Sequence, residues 1–87
     1  MDATVEISMY PLNNQYIPII QDFIDRVSEN KQLEVIVNTL STQIFGEYDE
    51  VMRTVQTEIK KSYEKQNQAI FVMKVLHGNL SPSKANG

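Results

Sequence analysis

Ser41-Thr42-Gln43-Ile44-Phe45-Gly46-Glu47-Tyr48-Asp49-Glu50-Val51-Met52 changes character part-way through. Up to Gly46 it reads as a strand. From Tyr48 the apolar residues Tyr48, Val51, Met52, Val55, Ile59 and Tyr63 recur at helical steps, which predicts a helix to about Lys65. Asp49 and Glu50 suit the positive end of that helix, and Lys60, Lys61 and Lys65 suit its negative end. The strand passes to the helix through a single glycine. Nowhere else in the chain do hydroxyls, an amide, carboxylates and a glycine stand so close in sequence, so a ligand is sought here first.

Working outward, Leu33 to Asn38 forms a second strand, and Thr39-Leu40 turns the chain into the strand at Ser41 to Gly46. Neither turn residue favours the positive φ of a tight hairpin. Upstream, Tyr16 to Asn30 carries Ile17, Ile20, Ile24 and Val27 at three- and four-residue steps, with Phe23 widening the stripe. Pro18 fits the first turn of such a helix. Asp22, Asp25, Arg26 and Glu29 make its wet face. Residues 3–10 alternate, with Val5, Ile7 and Met9 on one side and Thr4, Glu6, Ser8 and Tyr10 on the other, and Pro11 ends this strand. Downstream, Gln66-Asn67 turns the chain into a last strand, Gln68 to Leu76, apolar on both faces. The order β-α-β-β-α-β with right-handed crossovers predicts an α+β, ferredoxin-like sandwich. Its four-stranded antiparallel sheet carries both helices on one face. A single domain is expected over 1–80, followed by a mobile tail over 81–87 that is too polar to pack. The other sheet face, part polar and part apolar, must meet a subunit, a ligand or both.

The 87 residues allow one domain. A domain this short buries only about 60% of its unfolded surface, so oligomerisation is an expected source of stability. A net charge of -3 with one adjacent basic pair, Lys60-Lys61, argues against nucleic acid. The absence of cysteine excludes disulfides, thiolate metal sites and a cysteine nucleophile. No apolar run approaches the roughly 20 residues of a membrane span, and the N-terminus has no signal pattern. A cytoplasmic protein without membrane contact is expected.

The residues that can carry chemistry each admit a second role. Thr42 and Glu47 can converge on a ligand through a hydroxyl and a carboxylate, or Glu47 can be a helix-entry residue while Thr42 fills the strand. Ser8 and Tyr10 can orient and stack a ring, or serve as ordinary sheet surface. Asn38 can donate to a ligand or satisfy its own turn. Phe45 can stack on a planar group or pack in a core. Glu6 is either a ligand carboxylate or a sheet charge. His77 is the only histidine, so no second one shares a metal with it. No nucleophile elbow, P-loop, dinucleotide fingerprint or zinc spacing is present, and no catalytic or metal-binding residues are assigned. The loop after the first strand, Pro11-Leu12-Asn13-Asn14, lacks the arginine that an acylphosphatase phosphate cradle needs. The strands lack the aromatics and basic surround of an RNA-binding sheet.

Two stretches carry a resemblance to a known family. Ile7-Ser8-Met9-Tyr10-Pro11-Leu12 is similar to the opening of the thiamine-binding protein family, whose members bind thiamine or its hydroxymethylpyrimidine half. Thr42-Gln43-Ile44-Phe45-Gly46-Glu47-Tyr48 followed by an acidic helix start is similar to that family's threonine, two apolar residues, Glu-Gly-Glu and aromatic residue. Thr42, Gly46 and Glu47 match it. Phe45 departs, standing where the family has a glutamate, and Gln43 is more polar than the family's residue. The similarity runs from Val5 to about Leu76. It implies a ferredoxin-like fold, no enzymatic activity, thiamine or hydroxymethylpyrimidine as ligand rather than cofactor, and a homodimer or homotetramer. It further implies that Glu47 accepts from the exocyclic amine, that Ser8 and Thr42 orient the ring, and that Phe45 or Tyr10 stacks on it, with Asn38 nearby. The alternative is an oligomeric interaction or regulatory module without a small ligand.

Overall fold

The computed structural model describes residues 1–66 and 68–85. The elements are β1 (Asp2–Pro11), α1 (Tyr16–Ser28), β2 (Glu34–Val37), β3 (Thr42–Glu47), α2 (Tyr48–Gln66), β4 (Ala69–His77) and a single-turn α3 (Pro82–Ala85). The sheet is antiparallel in the order β2-β3-β1-β4. This is the expected ferredoxin-like sandwich. The expected turn at Gln66-Asn67 has its second residue outside the described residues, as are residues 86–87 of the tail.

The alternation in β1 does what its spacing implies. Val5, Ile7 and Met9 enter the core with Ile44 of β3, Phe23 and Val27 of α1, Val51 and Val55 of α2, and Leu33. Gly46 is needed for close approach: a Cβ there would stand 2.5 Å from Leu33 Cδ2 and 3.4 Å from Val51 Cγ2. The strand continues one residue past it to Glu47 before α2 begins.

The helices meet through polar groups rather than through their apolar stripes alone. Arg26 was expected on the wet face of α1, yet its side chain is only 12% exposed. Its guanidinium donates to Asp22 Oδ2 at 3.0 Å, Glu58 Oε1 at 2.7 Å, the Glu58 carbonyl at 3.0 Å and Ser62 Oγ at 2.7 Å. Thr54, Glu58 and Ser62 form a buried stripe on α2 facing α1, and Asn30 bridges Glu50 and Thr54 at 2.7 and 2.9 Å. Burial alone would raise the Asp22 carboxyl, but Arg26 and Lys65 outweigh it and hold it below its ordinary value.

The tail also departs from expectation over its described part. Gly78, with φ +96, turns the chain at the end of β4, a conformation that suits glycine. Thr4 Oγ1 donates to the Gly78 carbonyl at 2.8 Å and accepts from Leu80 N–H at 3.0 Å. Ser81 is fully buried, and the Ser81 and Ser83 hydroxyls donate to Glu34 Oε1 at 2.6 and 3.2 Å. Serines that looked too polar to pack do so because a carboxylate on the sheet takes their protons. The segment thus crosses the sheet face opposite the helices. Phe45 lies on that face, paired across the ladder with Thr4 and Glu34, and is only 2% exposed.

Candidate ligand-binding site

β3 is shorter than β1. Its pairing with β1 ends at Ile7↔Thr42, whereas β4 accompanies β1 on to Pro11↔Ala69. Residues 8–11 therefore have a strand neighbour on one side only. On the other side the β2–β3 hairpin closes with Asn38 N–H donating to the Ser41 carbonyl at 2.8 Å. Its two-residue tip is Thr39-Leu40, where the turn was expected. Ser8 Oγ donates to the Leu40 carbonyl at 3.0 Å and ties the tip to β1. The N-terminal half of α1 forms the remaining wall.

The space so enclosed is a cavity of about 540 Å³, within the ~300–1,000 Å³ of small-molecule pockets. Its floor is apolar, with Ile7, Met9, Ile20 and Phe23. Tyr10 and Tyr16 stand half-exposed at its mouth. Thr42 is 6% exposed, yet its hydroxyl has no protein partner among the described residues and is not sealed from solvent, so it opens to the cavity. Among the described residues, none of those lining the cavity is an Asp, Glu, Lys or Arg.

Four of the six site residues expected from sequence line this cavity: Ser8, Tyr10, Asn38 and Thr42. Phe45 and Glu47 do not. Thr42 and Glu47 bound opposite ends of β3, and at about 3.3 Å per residue the two lie roughly 17 Å apart. Glu47 pairs across the sheet with Asp2 and caps α2: its carboxylate accepts from Asp49 N–H at 3.1 Å and Glu50 N–H at 3.3 Å. This satisfies orphan donors of the first helical turn. Phe45 lies on the face away from the helices. Glu6 is engaged on that face by Ser41 at 3.1 Å, Gln43 at 3.5 Å and Lys74 at 3.4 Å, and these bonds, Ser41's first, hold its carboxyl below the ordinary range. Among the described residues no group of three or more His, Asp or Glu is placed to hold a metal, and no helix is long and apolar enough to cross a membrane.

Sequence reasoning missed the α1 wall. Tyr16, Ile17 and Ile20 line the cavity, and Ile17, assigned to the core stripe, is 67% exposed. The signal was available: Tyr16-Ile17-Pro18-Ile19-Ile20 is apolar nearly all round, more than one buried helix face can use.

A family model described as the YKOF-related family matches residues 2–84. The chain belongs to the YkoF-related family. No curated protein matches it in sequence. Among solved structures, a Thermotoga maritima protein assigned provisionally to thiamine biosynthesis or salvage has a TM-score of 0.83 at 16% identity, over 98% of this chain and 95% of that one. A Streptococcus pneumoniae protein has a TM-score of 0.82 at 20% identity, over 99% and 98%. A hypothetical protein from Methanocaldococcus jannascii has a TM-score of 0.79 at 15% identity, over 97% and 91%. At these identities the likeness establishes that this YkoF-related chain shares their fold.

Proposed function

We propose that this YkoF-related protein is a non-enzymatic binder of thiamine or its hydroxymethylpyrimidine half, which it holds in the cavity between α1 and the end of β1. The cavity carries the proposal: an apolar slot beside a strand end, with an unpartnered threonine hydroxyl inside and two tyrosines at the mouth. Thr42 and Asn38 orient the ring, and Tyr10 or Tyr16 stacks on it. The Ser8 hydroxyl, bonded to Leu40, shapes the wall. Glu47 and Phe45 drop out of the roles that the family resemblance implied, because they lie elsewhere. Among the described residues the lining offers no carboxylate or histidine to serve as an acid or base, which supports binding without chemistry. The thiamine-related assignment of the Thermotoga maritima protein is consistent with this.

Isothermal titration tests the proposal. Saturable binding of hydroxymethylpyrimidine or thiamine near micromolar, about 8 kcal/mol, is expected, and Glu47→Ala is expected to keep that affinity. Absence of binding by both compounds to folded protein would refute it. We further propose that a second copy of the chain covers β4. Ile70, Val72, Met73, Val75 and Leu76 are all exposed on this edge strand, an arrangement that a lone domain avoids. Sedimentation velocity is expected to give a dimer or tetramer, and a monomer at micromolar concentration would contradict this.

A further inference from the structure

The tip of the β2–β3 hairpin stands beyond the sheet. Val37↔Thr42 is the last ladder pair of β2 with β3, and Ile7↔Thr42 the last of β3 with β1. Two side-chain bonds tie residues 38–41 to β1. Ser8 Oγ donates to the Leu40 carbonyl at 3.0 Å, and Ser41 Oγ donates to Glu6 Oε2 at 3.1 Å. Glu6 and Ser8 alternate with the core residues Val5, Ile7 and Met9, so both point to the sheet face away from the helices. Both bonds therefore draw the hairpin toward that outer face and away from α1. The cavity lies on the other side of the hairpin, and its mouth is rimmed by apolar side chains left in solvent. Val37 and Leu40 stand on the hairpin rim, Tyr16 and Ile17 on the α1 rim, and all four are more than half exposed, Leu40 to 84%. A single exposed apolar side chain is ordinary, but four of them around one opening are not.

Resting on the binding function proposed above, we infer that residues 38–41 are a lid, latched open by Ser8 and Glu6, which closes onto the first turn of α1 when a ligand fills the cavity. The Ser8 latch is built to give way. It is an exposed hydroxyl–carbonyl bond, and water replaces either partner at little net cost. Closure draws Val37 and Leu40 out of solvent against Tyr16 and Ile17, which is favourable in proportion to the apolar area covered. Over an empty cavity the two rims have nothing between them to rest on. A flat ring seated there touches both, so it binds the closed form better and shifts the equilibrium toward it. Asn38 N–H bonds the Ser41 carbonyl at 2.8 Å and holds the base of the turn together. Thr39 and Leu40 consequently move as one unit, and the dihedral change falls on the residues where the ladder ends, as in other hinged loops.

Ser8→Ala in the full chain tests the latch, because its effect has the opposite sign to that of losing a ligand contact. Hydroxymethylpyrimidine is expected to bind the variant about fivefold tighter than the parent, the worth of one ordinary hydrogen bond, through slower dissociation. A serine that only shapes the wall or touches the ligand would give weaker binding on its removal. The closure itself is read separately. The chain has no cysteine, so Ile17→Cys/Leu40→Cys places one pair of thiols across the mouth. Saturating hydroxymethylpyrimidine is expected to make the disulfide between them form several times faster. Weaker or unchanged binding by Ser8→Ala, or a cross-linking rate that ignores the ligand, would overturn the inference while leaving the binding function standing. Failure of both hydroxymethylpyrimidine and thiamine to bind the parent chain would overturn both.

Discussion

Arg26→Leu is expected to destabilise the fold by about 3–5 kcal/mol, the cost of breaking a buried ion pair from one side. Glu58 is 11% exposed and takes its shortest bond, 2.7 Å, from Arg26. Without the guanidinium its carboxylate keeps, among the described residues, only Lys61, 3.7 Å away and half-exposed. The Ser62 hydroxyl and the Glu58 carbonyl lose the guanidinium bonds in the same step. Total stability for 87 residues is of order 4–13 kcal/mol, so this single change removes roughly a quarter of it or more. Urea denaturation is the measurement: the midpoint should fall sharply with the slope unchanged. The double variant Arg26→Leu/Glu58→Leu should recover most of the loss, because an apolar pair replaces a buried charge pair at little net cost. A single variant within about 0.5 kcal/mol of the parent would mean that the network is a surface ornament.

Phe45→Glu introduces the glutamate that the resemblance to the thiamine-binding family implies at this position, and it is expected to damage the fold without improving binding. Phe45 is 2% exposed, on the sheet face crossed by the C-terminal segment. Removing a buried phenylalanine costs about 3–5 kcal/mol, and a carboxylate placed there pays desolvation as well. Its cross-strand neighbour is Glu34, already the acceptor of Ser81 and Ser83, so a like charge opposes it. The melting temperature should fall by more than about 10 °C, at roughly 4–8 °C per kcal/mol for a domain of this size. The affinity for hydroxymethylpyrimidine of the fraction that remains folded should be unchanged. A stable variant with higher affinity would place the ligand on the outer face instead.

β1 and Gly46 mark where sequence reasoning succeeded, and Arg26 and the site where it stopped. The alternation of Val5, Ile7 and Met9 against Thr4, Glu6 and Ser8 suffices to orient β1, because a half-buried strand has only two faces. The joint at Gly46 is equally legible, since the change from strand to helix period lies on either side of it. Arg26 was not legible. One helix's periodicity shows which residues are apolar, but Arg26 is buried by polar residues of a second helix 32 and 36 positions later. The C-terminal segment escaped for the same reason, as Ser81 is buried only because Glu34 meets it. At the site, closeness in sequence misled. Thr42 and Glu47 are five residues apart, but a strand between them is extended, and each serves a different end of the domain. Ser8 is distant in sequence from Asn38 and Thr42, and the hairpin register brings the three together, which no local pattern reports.

The location of the ligand is the central claim, and amide shift mapping tests it most directly. ¹⁵N-labelled protein titrated with hydroxymethylpyrimidine should show its largest saturable shifts at the end of β1, the start of α1 and the β2–β3 hairpin, with Met9, Tyr16, Asn38 and Thr42 among them. Residues 45–50 should stay still. The largest shifts centred on Phe45, Glu47 and the start of α2, with Met9 and Thr42 unmoved, would contradict the assignment.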